Sequence, residues 1–224
     1  MGSIIADKFA SENATVTYLH GSGAILPSGK NIKTIPIYSA HELLQKLENL
    51  LVNHQYDCVI HSMAVSDYTP QTVSSLDDIV ISVVSRLQNA NASIALTTLV
   101  KEAVLAAGSP PTNSKLSSNN ANMMVLLKQT PKAIKLIKTL QPATLLVGFK
   151  LLSGATENEL YQAADKLLVQ NGCDYVLAND LTQICGDTHK ANLIGQSGPL
   201  YTAQTKQEIA EIIYKAVSQT EESQ

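Results

Sequence analysis

Polar residues stand where apolar stretches of this sequence end. Ser66-Asp67-Tyr68 follows Met63-Ala64-Val65, Lys150 lies in the run 144–152, and Asn179-Asp180 closes the run 174–178. Carboxylates, amides and a lysine gathered at one place can orient a charged ligand or neutralise a phosphate. Taken singly, each also suits a turn, where Asp and Asn bond their own backbone. Lys115, in Lys115-Leu116-Ser117-Ser118, follows a proline-containing loop. It reads either as a solvated surface charge or as a point charge that closes over a phosphate, and the spacing leaves both open. Thr130-Pro131-Lys132-Ala133-Ile134 has the form of a helix start, whose free N–H groups stabilise anions, although on the sequence alone an ordinary helix start is the favoured reading. Gly21-Ser22-Gly23 is a weak phosphate-loop signal, because no GxGxxG is present. His61 reads as a core histidine and Cys173 as a small buried hydrophobe. No histidine pair has metal spacing and no GxSxG occurs, so the metal ligands are unknown and no serine hydrolase is indicated.

The elements that must hold these residues alternate. Residues 4–9 have helical spacing, 15–19 read as a strand ended by His20-Gly21-Ser22-Gly23, and 33–37 as a second strand. Ser39-x-x-Glu42 is a capping box before a helix with Leu43, Leu44, Leu47, Leu50 and Leu51 on one face. Residues 56–65 form a nearly continuous apolar strand, which suits a parallel sheet covered on both faces; Pro70 stops it. Residues 71–120 break the rhythm with two helical stretches, 79–87 and 94–107, and a loop through Pro110-Pro111. A strand follows at 123–127, then a helix capped by Thr130 with Pro131 in its first turn. Further on, 144–152 and 174–178 are strands, Thr156-x-x-Glu159 and Thr205-x-x-Glu208 are capping boxes, and Asn171-Gly172 is a left-handed helix end. Leu193-Ile194 and Leu200-Tyr201 flank a Gly-Gln-Ser-Gly turn as two antiparallel strands. The pattern predicts an α/β fold: a Rossmann-like, doubly wound, mostly parallel sheet with helices on both faces and a helical excursion. Such a sheet binds ligands beyond the carboxyl ends of its strands, which gathers the polar runs at one edge.

The totals exclude some classes. A net charge of −3 over 224 residues gives no basic surplus for nucleic acid. No apolar run approaches the ~20 residues that span a bilayer. Three cysteines without CxxC, and no secretory signal, place reduced thiols in the cytoplasm.

Residues alone reach a nucleotide- or cofactor-using α/β protein. The ordered set Ala64-Val65-Ser66-Asp67-Tyr68, Lys115-Leu116-Ser117-Ser118, Thr130-Pro131-Lys132, Gly148-Phe149-Lys150-Leu151 and Ala178-Asn179-Asp180 goes further. It resembles phosphopantothenate–cysteine ligase (phosphopantothenoylcysteine synthetase) of the monofunctional bacterial type, from Gly2 to about Lys215. The resemblance implies one ligase domain over 1–224 with a flap at about 71–120, working as a homodimer. It implies coupling of 4′-phosphopantothenate to L-cysteine in coenzyme A synthesis, with CTP (or ATP) as cosubstrate and Mg2+. Carried over, Ser62 and Met63 lie along the nucleotide, and Asp67 is its polar anchor or metal partner. Lys115 is the flap lysine that covers the acyl-cytidylate. Pro131, Lys132, Ala133, Ile134, Phe149, Ala178, Asn179 and Asp180 line the nucleotide pocket.

Two departures carry expectations. Some bacterial members have a lysine pair where this chain has Leu167 and Asn171, so Lys150 or Lys166 takes over the triphosphate contacts; Lys150 is similar to ATP-using eukaryotic members. The family also opens with a strand, a glycine-rich loop and an Asn-containing loop, and about 30 to 40 such residues are expected to be missing before Met1. The alternatives are an NAD(P)- or flavin-dependent Rossmann-like reductase and a non-catalytic scaffold.

Overall fold

The computed structural model describes residues 1–89, 95–110 and 121–221. It divides into two units: Met1–Val65 together with the chain from Lys132 onward, and Ser66–Pro131. The first unit opens with α1 (Gly2–Ser11), β1 (Val16–Gly21), β2 (Ile32–Ile37), α2 (Ala40–Asn53) and β3 (Cys58–His61). The second contains β4 (Tyr68–Ser75), α3 (Leu76–Gln88), α4 (Leu96–Ala107) and β5 (Met123–Gln129). The chain then re-enters the first unit as α5 (Ala133–Leu140), β6 (Leu145–Leu152), α6 (Glu157–Asn171), β7 (Tyr175–Cys185), β8 (Thr188–Gly195), β9 (Gly198–Thr205) and α7 (Lys206–Glu221).

In the first unit five strands lie in the order β3-β6-β7-β8-β9, and β1 and β2 form a separate parallel pair. β3, β6 and β7 are parallel, and β8 and β9 extend them as an antiparallel meander. Alternation along β6 and β7 feeds two cores. Leu146, Val176 and Ala178 pack with Leu43, Leu47, Ile137, Leu160 and Leu168 of α2, α5 and α6. Leu145, Val147 and Leu177 pack with Ile5, Ile209 and Ile213 of α1 and α7. A sheet covered on both faces needs apolar side chains on both, as the unbroken runs of the sequence imply. Among the described residues no helix is long and apolar enough to cross a membrane.

Helix ends follow their capping chemistry, with one variation. Thr156 and Glu159 form the complete capping box, and α6 ends on Gly172 at φ +63°. Ser39 and Thr205 accept the N–H groups of Glu42 and Glu208, but those carboxylates reach one residue further back, to the N–H of Tyr38 (2.8 Å) and Gln204 (2.7 Å).

Four sequence expectations are corrected. β3 ends at His61 instead of running to Val65. Ser66 bonds the carbonyl of Tyr68 at 2.8 Å, a local bond that competes with a ladder. Pro70 does not stop a strand but lies inside β4, where the register with β5 slips between Pro70 and Thr72 and spares the missing N–H. α5 starts at Ala133, with Lys132 as an N-cap that makes no side-chain cap bond. The Thr130 N–H instead bonds the Asp67 carbonyl at 2.9 Å, prolonging the β4–β5 ladder. β7 does not end at Ala178 but continues through Asn179 and Asp180 to Cys185, because β8 pairs with it on both sides of a bulge.

Candidate active site

Register sets the end of β3 against the middle of β6 and the start of β7. His61 lies beside Gly148, Phe149 beside Leu177 and Lys150 beside Ala178. Ser62 and Met63 follow β3 directly. Side-chain direction then sorts the expected site residues. Ala133, Ile134 and Ala178 belong to one core with Met63 packed against it, so four of them meet. Phe149 packs on the opposite face, beside α1 and α7. Close packing here depends on Gly148: a Cβ there would lie 3.1 Å from Cys173 Sγ and Leu167 Cδ2, and 3.4 Å from Ile134 Cδ1. Lys150 is half-buried and Lys132 exposed.

Asp180 is 2% exposed and fully engaged. It accepts the N–H groups of Gly154 (3.0 Å), Ala155 (2.8 Å) and Thr182 (2.8 Å), and the Thr182 hydroxyl (2.8 Å). These donors, the Thr182 backbone foremost, hold its carboxyl below the usual carboxylate range. Its work is to fasten the β6–α6 turn, and thereby the sheet edge. Asn179 is also buried and its amide lies 3.2 Å from His189 Nε2. Burial, with Lys206 nearby, lowers the pKa of that histidine.

Asp67 and Pro131 belong to the second unit, where Asp67 is exposed and its carbonyl is bound by Thr130. Lys115 lies outside the described residues.

A cavity of about 280 Å³ opens where β1 and β3 end. Ser62 and Met63 line it with Gly21 at the end of β1, Ala24 of the turn that follows, and Gly2 and Ser3. The latter begin α1, whose N-cap, Met1, makes no side-chain cap bond, so first-turn N–H groups remain available to an anion. The residues alone signal this place through Gly21-Ser22-Gly23, and the resemblance adds Ser62 and Met63; Gly2 and Ser3 carry no signal. Nearby, burial holds His61 to a lowered pKa, and therefore neutral at pH 7. Cys173, buried, is pushed up to about 11, an inert thiol. Among the described residues no three His, Cys, Asp or Glu side chains cluster as metal ligands.

A mostly parallel sheet with helices on both faces and a cavity where its strands end defines a Rossmann-like domain. The chain belongs to the family described as DNA/pantothenate metabolism flavoprotein C-terminal domain, which it matches over residues 1–78 and 99–220. It is 27% identical over 218 residues to the coenzyme A biosynthesis bifunctional protein CoaBC of Thermococcus kodakarensis, covering 97% of this chain and 44% of that protein. The chain spans about half the length of the curated relatives it matches. The solved DNA/pantothenate metabolism flavoprotein of Streptococcus pneumoniae is 32% identical, with a TM-score of 0.77 over 97% of this chain and 86% of the other. A Cab2 variant in complex with phosphopantothenate-cysteine shares the fold, at a TM-score of 0.64, 14% identity, and 99% and 77% coverage.

Proposed function

We propose that this domain joins 4′-phosphopantothenate to L-cysteine through an acyl-nucleotide, a ligase step of coenzyme A biosynthesis. The observation that carries the reading is the family match, which runs through both units and includes the strand ends around the Ser62–Met63 cavity. The name of the Thermococcus relative and the ligand of the Cab2 variant point the same way. The phosphopantothenate carboxylate attacks the α-phosphate of CTP (or ATP) and pyrophosphate leaves. The cysteine amine then attacks the acyl carbon, the nucleoside monophosphate leaves, and the amine loses its proton. CTP is the cosubstrate we favour. Mg2+ would travel with the triphosphate, as it does when few carboxylates are at hand, with Asp67 as the candidate protein ligand.

On this reading Ser62, Met63, Ala133, Ile134 and Ala178 shape the nucleotide pocket, while Phe149, Asn179 and Asp180 support it from behind. Leu167 packs against the α2–α5–α6 core and Asn171 is buried, so neither replaces a phosphate-binding lysine. Half-buried Lys150 and exposed Lys166 are the cations left for that task on β6 and α6. Lys115 closes on the acyl-nucleotide and serves the cysteine step. We place the enzyme in the cytoplasm, as the lack of any disulfide among Cys58, Cys173 and Cys185 suits a reducing compartment. Its homodimer face is the β4–β5 ribbon.

Incubation with Mg2+, 4′-phosphopantothenate, cysteine and either CTP or ATP tests the reaction. Pyrophosphate and a product heavier by the cysteinyl residue are expected. Lys115→Gln should build up the acyl-nucleotide while the cysteine step drops at least about tenfold. Neither nucleotide yielding pyrophosphate would sink the ligase. Dinucleotide binding instead would point to a reductase, and binding of neither to a scaffold; no GxGxxG favours the former.

A further inference from the structure

In the second unit, α3 is apolar over more of its circumference than α4 covers. α4 lies against one side, where the Ser82 hydroxyl donates to the Ala103 carbonyl at 2.9 Å and Arg86 meets Glu102 at 3.2 Å. Leu76 (40% exposed), Val80 (52%), Val84 (46%) and Leu87 (42%) form a second stripe. At 3.6 residues per turn these four fall within about 80° of one another, and all lie about 120° or more from Ser82. Apolar side chains aligned in this way mark a face that packs against something.

The stripe itself says what covers it. Counted from Ser82, a valine stands two residues to either side, and a leucine six residues before and five after. A second α3 laid antiparallel across the first therefore sets Leu76 on Leu87 and Val80 on Val84, the self-complementarity that a two-fold interface requires. Charge selects this direction. Asp77 and Asp78 begin α3 and Arg86 ends it. An antiparallel pair brings each acidic end beside the basic end of the other copy and opposes the helix dipoles, whereas a parallel pair sets acid on acid.

The stripe also adjoins the ribbon. α3 starts where the β4–β5 ladder ends: Ser75 is the partner of Met123, and the Leu76 N–H donates to the Asn122 carbonyl at 3.1 Å. Exposed Met123 and Leu76 thus stand one position apart across the ladder's end. Four half-exposed side chains from each copy fall short of the roughly 1,200 Å² that a stable interface buries, so a helix pair adds to the ribbon contact and does not stand alone. Residues 79–98 fall between the two stretches that match the family, so most of α3 lies outside the family's common fold.

We infer that α3 pairs antiparallel with α3 of a second copy, about a two-fold axis near Ser82, and so extends the homodimer proposed above. The inference rests on that homodimer and not on the ligase reaction.

The test uses the full chain with exposed Cys185 replaced by serine and with Val80→Cys and Val84→Cys together. Cβ atoms four residues apart on one helix lie about 5–6 Å from each other, beyond the roughly 3.5–4.5 Å of a disulfide, so the pair does not close within a chain. Mild oxidation, at a concentration where the wild type sediments as a dimer, should give a covalent dimer on denaturing gels that a reductant removes. Val84→Glu should raise the dimer dissociation constant at least about tenfold with unchanged far-UV circular dichroism. Val169→Glu, at a valine 78% exposed on α6, should leave the constant unchanged. A wild-type dimer that gives no cross-link overturns the α3 contact alone. So does a Val84→Glu variant that dimerises as the wild type does; if that variant also melts lower, the stripe is covered within its own chain. A monomeric wild type removes the homodimer, and this contact with it.

Discussion

Asp180 holds the turn between β6 and α6 through the N–H groups that its carboxylate accepts. An acid after an apolar run reads as a site residue, and it does lie at the sheet's carboxyl edge. Yet its oxygens are taken by Gly154, Ala155 and Thr182, partners that sit up to 26 positions away and leave no local mark. Its folded pKa is lowered, so its stabilisation is complete above the unfolded value of about 3.9 and is lost as pH falls through the lower folded value. Asp180→Asn, which turns an N–H donor toward N–H donors, should melt below the wild type at pH 7. Melting curves between pH 7 and 2 should show that gap closing with acidification, and a gap independent of pH would contradict the assignment. Gly148 is the second decisive residue. Gly148→Ala should lose about 1–3 kcal/mol in urea denaturation, as a methyl at 3.1 Å from two side chains overpacks the seam.

Elements were legible where the signal is local. Apolar spacing in α2 and α7 and the Thr156–Glu159 box reveal those helices without their partners. β4 was not legible, since Pro70 argues against a strand unless the bulge and the β5 partner some fifty residues later are known. The corner that sets the start of β3 was equally hidden. Gln141, 4% exposed, donates to the carbonyls of Leu51 and His54, both at 2.6 Å, and accepts from the Tyr56 N–H at 3.1 Å and the Thr144 hydroxyl at 2.8 Å. In the sequence it is an ordinary polar residue after a helix. Gln141→Leu leaves those groups without their partner and should destabilise by at least about 2 kcal/mol, read as a shift in the urea midpoint. Gln141→Glu, which keeps only the acceptors, should recover little of it.

At the scale of the molecule, alternating layers follow from the sequence because each element needs a covered apolar face. The second unit follows less well, because the sequence pattern names no covered face for its ribbon. A two-stranded ribbon is marginal alone in water. β5 nonetheless exposes consecutive apolar residues on both its faces: Met123 38%, Met124 47%, Val125 53% and Leu127 52%. Alternation would have spared one face, so a strand apolar on both is built to be covered on both. In the proposed homodimer a second copy of the same ribbon would supply that cover by two-fold symmetry. Sedimentation should therefore give a dimer at micromolar concentration. Val125→Asp should weaken it by about a hundredfold or more, since an unpaired charge buried at an interface costs roughly 3–5 kcal/mol. Far-UV circular dichroism should stay unchanged, because Val125 is already exposed in the single chain. A wild-type chain that sediments as a monomer, or a Val125→Asp variant that remains a dimer, would remove the ribbon from the interface.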